Sequence, residues 1–141
     1  MGIEVSRSPK TVLYLGQRSA ETKQVLTSLA RRSDLRIVQV PMVESAAWAL
    51  CGVPANLIVI GPELTTNVLA QLLVTITRLR PAVPVMALRP SADEDVRAWS
   101  VRALSVLAPP YPTPVLFRLV DMALEAAAQA KSAALASVMP N

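Results

Sequence analysis

Leu57-Ile58-Val59-Ile60 is an unbroken apolar run, with Gly52 and Pro54 ahead of it and Gly61-Pro62 behind it. A strand with one wet face alternates polar and apolar residues, whereas a strand covered on both faces has no polar position to spare. The run therefore predicts a central strand of a parallel sheet. On its N-terminal side, Thr11-Val12-Leu13-Tyr14-Leu15 is apolar and β-prone and stops at Gly16, giving strand one. Ser19 follows as an N-cap, with Thr22 where a capping box usually has Glu or Gln. Val25, Leu26, Leu29 and Ala30 then fall at helical spacing, so helix one reaches about Arg32. Leu35 to Val40 alternates in part and is strand two, ended by Pro41. Helix two runs from Val43 to Cys51 and stops at Gly52 and Pro54.

The same alternation continues after the run. Helix three covers about Thr66 to Leu79, with Val68, Leu69, Leu72, Leu73 and Ile76 on one face. Val83 to Leu88 is strand four. Ser91 caps a fourth helix with Asp93, Glu94 and Asp95 in its first turn, where the helix dipole favours acids. Leu104 to Ala108 is strand five. Thr113-Pro114 opens the last helix with Pro at N1, and this helix runs to about Ser137. Five strands, each followed by a helix, predict a single α/β domain, (βα)5. The expected arrangement is a flavodoxin-like doubly wound parallel sheet of order 2-1-3-4-5 with right-handed crossovers. Residues 1–9 read as an N-terminal tail, 10–128 as the domain, and 129–141 as an extension of the last helix with a frayed end.

Composition agrees with one well-filled core: 141 residues, 52% hydrophobic and only 17% charged. The net charge of +4 comes from scattered residues such as Arg7, Lys10, Arg18, Lys23, Arg36 and Arg118, with tight pairs only at Arg31-Arg32 and Arg78 with Arg80. Nucleic-acid binders cluster such charge, so binding of that kind is not expected. Cys51 is the single cysteine and there is no histidine, which rules out a Cys–His pair and the usual zinc sites. Cys51 reads as a small buried thiol. Met1 to Lys10 has no apolar core of a signal peptide, and no run of about 18 apolar residues is long enough to span a bilayer. A cytoplasmic protein without a cofactor is expected.

In such folds, ligands sit beyond the carboxyl ends of the strands. The residues there are Gly16-Gln17, Gly61-Pro62-Glu63, Arg89 and Pro109-Pro110. Gly61 stands 45 positions after Gly16. Pro84-Val85-Met86-Ala87-Leu88 is an apolar strand opened by proline, and residues 102–111 read RALSVLAPPY. Over about residues 10 to 128 these landmarks resemble the receiver domain of bacterial response regulators, with Ala103, Pro110 and Tyr111 at matching positions. That family places two acids after strand one to hold magnesium, a phosphoacceptor aspartate after strand three, Ser or Thr after strand four, and a Lys-Pro pair with a cis bond after strand five. Here Gly16 and Gln17 replace the acids, Gly61 the aspartate, Arg89 the Ser or Thr, and Pro109 the lysine. The resemblance therefore implies a degenerate phosphorylation pocket with no catalytic residue and no metal.

The residue chemistry points the same way. Gly61 has no nucleophile, and magnesium wants several hard oxygen ligands where only Glu63 is close. Phosphoryl transfer rests on positioning and charge neutralisation, and the groups for both are missing. Two readings of Arg89 stand: a pair with Glu63 that locks one state, or a loop arginine facing solvent. Gly16-Gln17-Arg18-Ser19 lacks both G-x-G-x-x-G and a P-loop, so no nucleotide turn is read there. Ser19, Thr65, Thr66 and Ser91 read as caps rather than modification sites. With no His and no paired carboxylates, enzyme activity is not expected.

Function then rests on a surface, and the expected module binds a protein partner that the sequence does not name. The family signals through the face of helix four, strand five and the last helix. Here that face carries Val96, Trp99, Arg102, Ala103 and Tyr111, types that include favoured hot-spot residues. The alternative is that Trp99 covers the sheet and Tyr111 caps the core. Trp48, in an alanine-rich helix two, reads as a core plug. Val115, Leu116, Leu119, Val120 and Ala123 are expected to face the sheet. The alanine stripe beyond them suits a homodimer or a linker equally. Two other functions compete: a regulatory domain of a larger protein, or a small-molecule or nucleotide sensor using the vacant pocket.

Overall fold

In the computed structural model, which describes residues 9–17, 19–41, 45–90 and 104–138, five parallel strands form one sheet of order β2-β1-β3-β4-β5. The strands are β1 (Lys10–Leu15), β2 (Leu35–Val40), β3 (Leu57–Ile60), β4 (Val85–Leu88) and β5 (Leu104–Leu107). The helices are α1 (Ala20–Ala30), α2 (Ala46–Gly52), α3 (Thr66–Leu79) and α4 (Thr113–Val138). The crossover expected between β4 and β5, with Ser91 and Asp93-Glu94-Asp95, lies outside the described residues.

The apolar run does what its composition requires. Leu57, Ile58, Val59 and Ile60 are all 0% exposed. They pair with β1 from Val12↔Leu57 to Leu15↔Ile60, and with β4 from Ile58↔Val85 to Ile60↔Ala87. Alternate residues divide between two cores. Val12, Tyr14, Leu57, Val59, Met86 and Leu88 meet α1 and α4 through Val25, Leu29, Leu116 and Val120. Leu13, Leu15, Ile58, Ile60 and Val85 meet α2 and α3 through Leu50, Leu69, Leu73 and Ile76. Burying side chains of this size stabilises the fold by about 1.5–3 kcal/mol each.

Local signals fix the helix starts. Ser19 Oγ accepts Thr22 N–H at 3.3 Å while Thr22 Oγ1 accepts Ser19 N–H at 3.0 Å, so threonine completes the capping box. Thr65 Oγ1 accepts Val68 N–H at 3.3 Å and caps α3. Strand four begins at Val85 rather than Val83.

Three burial expectations fail. Trp48 is 78% exposed and Cys51 is an exposed thiol, so neither fills core. A helix turns about 100° per residue. Ala46, Ala49 and Leu50 form the buried stripe of α2, which leaves Trp48 on the opposite side. In α4, Leu116, Val120 and Ala123 face the sheet, but Val115 is 43% exposed. Phe117 packs against the core in its stead.

Candidate functional site at the carboxyl edge of the sheet

Parallel strands of similar length deliver Gly16, Gly61 and Arg89 to one edge. Gly61 N–H donates to Leu15 O at 2.9 Å, which holds the turns after β1 and β3 side by side. Gly16 N–H donates to Val40 O at 2.9 Å, and Gln39 Nε2 donates to Gly16 O at 3.1 Å. Gly16 has φ 145°, a conformation that side-chain-bearing L residues rarely adopt.

The space between the two glycines is filled. Glu63, two residues past Gly61, folds back so that its Oε2 accepts Gln17 N–H at 2.5 Å. A Cβ on Gly61 would stand 2.5 Å from Glu63 Oε1 and 2.8 Å from the Tyr14 hydroxyl oxygen. A Cβ on Gly16 would collide with Glu63 Oε2. The pocket expected to be vacant is therefore occupied by the chain's own carboxylate above and a phenol below. From the sequence, Glu63 stands as a lone magnesium ligand or a partner for Arg89, not as a plug of the pocket, and Tyr14 stands as an apolar strand residue.

Tyr14 is 0% exposed, and its hydroxyl has no hydrogen-bond partner among the described residues. Thr22 Oγ1 lies close by but is engaged with Ser19 N–H and Ser19 Oγ. Burial pushes the phenol up to about 12, with the charge of Glu63 adding to the rise and the Thr22 hydroxyl opposing it. Tyr14 thus stays a protonated donor throughout the neutral range.

Both readings of Arg89 are corrected. The side chain is only 2% exposed, so it does not face solvent. Its Nη2 donates to Leu64 O at 3.2 Å, whereas the Glu63 carboxylate is taken by Gln17. No ion pair joins Arg89 to Glu63 among the described residues. Arginine at the end of β4 thus spans from the sheet edge to the turn after β3.

Pro109-Pro110 is a cis peptide, as the resemblance implied for this corner. Tyr111 N–H closes the turn on Ala108 O at 3.2 Å. Tyr111 is 3% exposed, and its hydroxyl donates to Arg89 O at 2.9 Å. It is a core cap, and the expectation of a surface hot spot there is withdrawn. A buried Tyr needs a partner for its hydroxyl, and the β4 terminus supplies one. Val96, Trp99, Arg102 and Ala103 lie outside the described residues.

No protein-family model matches this sequence, and no curated protein matches it significantly. Solved structures do match. A response regulator receiver protein from Sinorhizobium medicae aligns with a TM-score of 0.72 and 16% identity, covering 84% of this chain and 97% of that one. A CheY-like receiver domain protein from Methanospirillum hungatei gives 0.73 and 15%, covering 86% and 98%. The receiver domain of a sensor histidine kinase from Pseudomonas aeruginosa, with magnesium coordinated in its active-site cleft, gives 0.68 and 17%, covering 84% and 99%. At such identities the likeness establishes the fold, which is the CheY-like receiver fold.

The residues at this edge do not fit the magnesium that the last of these relatives holds. Gly16 and Gln17 bring no carboxylate, and Glu63 is the one acid at the pocket among the described residues, with an oxygen already bonded to an N–H. Among the described residues no three acidic, Cys or His groups converge on a metal position. No helix of the described residues is long and apolar enough to cross a membrane.

Proposed function

We propose that this chain is a receiver-like regulatory module that is not phosphorylated, has no enzymatic activity and works by binding a protein partner. The observation that carries the reading is at Gly61. This position has no nucleophile, and the volume a carboxylate would need there is taken by the Tyr14 hydroxyl and Glu63. Signalling must then come from differential binding of a partner to the states of the domain, because no covalent trigger is built in. The partner face we propose is the fourth crossover and β5, with Trp99 and Arg102 as anchors. Tyr111, being buried with its hydroxyl on Arg89 O, is left out of that contact.

The test is incubation with magnesium and a small phosphodonor, read by intact mass, with a parallel amide NMR titration using magnesium and beryllofluoride. An unchanged mass and unmoved Gly16, Gly61 and Arg89 signals are the expected result. A mass gain of one phosphoryl group would end the reading.

A further inference from the structure

The pocket between Gly16 and Gly61 is made like a ligand site. Two adjacent turns both lack a side chain, and Gly16 sits at φ 145°, so the opening is held by backbone geometry. Two donors converge on it. One is Gln17 N–H, which holds Glu63 Oε2. The other is the Tyr14 hydroxyl, fully buried, without a hydrogen-bond partner among the described residues, and 2.8 Å from where a Gly61 Cβ would stand. A buried hydroxyl with no partner is uncommon and calls for an acceptor. Donors without nearby acid clusters suit an anion, and the group resident there is a carboxylate.

We infer that this pocket is a carboxylate-binding site that Glu63 fills as a tethered internal ligand, and that a free carboxylate takes it when Glu63 is withdrawn. The inference rests on the reading of the chain as a non-phosphorylated module, since an aspartate at position 61 would occupy the same volume. Glu63 is well placed to leave. Its residue is exposed, and its bond to Gln17 is a single charge-assisted contact on the outer side of the pocket. A tethered group competes at a high effective concentration, so an external carboxylate binds the wild-type protein weakly. Removing the tether leaves the glycine cradle, the Gln17 N–H and the Tyr14 hydroxyl in place. A free carboxylate then sits between these donors, whereas Glu63 reaches only the Gln17 N–H. The Tyr14 hydroxyl gains the partner it lacks.

The experiment compares wild-type protein, Glu63→Ala and Glu63→Ala/Tyr14→Phe by amide NMR during titration with sodium acetate, at ionic strength held constant with chloride. In Glu63→Ala, acetate should produce saturable shifts at Gly16, Gln17 and Gly61, with an affinity about tenfold or more above wild type. Adding Tyr14→Phe should weaken that binding severalfold. Absence of saturable shifts in a folded Glu63→Ala protein overturns the inference, as does acetate binding that is indifferent to Tyr14→Phe. Glu63→Gln, which keeps size and an acceptor oxygen, should stay closed to acetate. Opening of the Gln variant as fully as the Ala variant would also overturn it. Phosphoryl transfer to wild-type protein would sink the underlying reading by a mass change. Failure of acetate binding with an unchanged mass sinks only the site proposed here.

Discussion

One carbon added at Gly61 would lie 2.5 Å from Glu63 Oε1 and 2.8 Å from the Tyr14 hydroxyl oxygen. These two neighbours yield differently. Glu63 is the far end of an exposed flexible chain and can turn away. The Tyr14 ring is fully buried among Val12, Val25 and Met86 and cannot. Gly61→Ala should therefore cost about 1–3 kcal/mol of overpacking, offset by about 0.4–1 kcal/mol from a stiffer unfolded chain. Tyr14→Phe removes only the unbonded hydroxyl, so alone it should be neutral or mildly stabilising. In the Phe background, Gly61→Ala should become about 1 kcal/mol cheaper. Urea unfolding of the four proteins measures this, and an equal cost in both backgrounds would show that Tyr14 does not dictate the glycine. The residues of this pocket were only half legible in the sequence. The missing acids could be read directly from Gly16, Gln17 and Gly61. The filling could not, because nothing in a strand residue such as Tyr14 announces that its tip will end beneath a glycine 47 positions away.

At the scale of elements, Arg32 braces the end of α1 against α4. Its Nη2 lies 2.6 Å from Asp34 Oδ2 and 2.8 Å from Asp121 Oδ1, and its guanidinium stacks 5.1 Å from the Phe117 ring centroid. Half of the basic pair Arg31-Arg32 is thus neutralised within the fold and does not form a cationic patch. Both carboxylates are 59% exposed, so solvent screening keeps each pair small. Arg32→Ala should lower stability by about 1 kcal/mol, counting the ion pairs and the ring contact together. Asp34 is held below the usual carboxylate range, first by its hydrogen bond from Arg32. Its ionised form is favoured by folding, so its contribution is present at neutral pH and is lost as pH falls through the lowered folded value. Urea midpoints should thus drop in acid less steeply for Asp34→Asn than for wild type. Equal slopes would show that the pair carries no linkage. In α2, by contrast, the exposure of Trp48 follows from the helical period. The alanines around Trp48 suggested a helix that packs closely with tryptophan inside, but Ala46, Ala49 and Leu50 themselves form the buried stripe. The stripe also predicts that Trp48→Ser changes stability by no more than about 0.5 kcal/mol. Leu50→Ala should cost about 2–5 kcal/mol in the same denaturation assay.

For the whole molecule, the alternation of strands and helices and the two-sided core were legible because they follow from counting, and the strand order followed from the doubly wound arrangement that such an alternation favours. Apolar runs of four to six residues alternate with helical periods, and one run without a polar residue must be central. The surface was less legible, because it depends on which side of each helix the sheet takes. The same topology has a consequence for solubility. The outermost strand on one side, β2, reads Leu35-Arg36-Ile37-Val38-Gln39-Val40, a six-residue β-prone segment. Such a margin is a template on which another chain can add strand upon strand. Arg36 places a charge within that margin, and Pro41 directly after it has no N–H with which to extend the ladder. These two residues act as gatekeepers of that margin, so replacing them together should make the protein more prone to edge-to-edge association in concentrated solution.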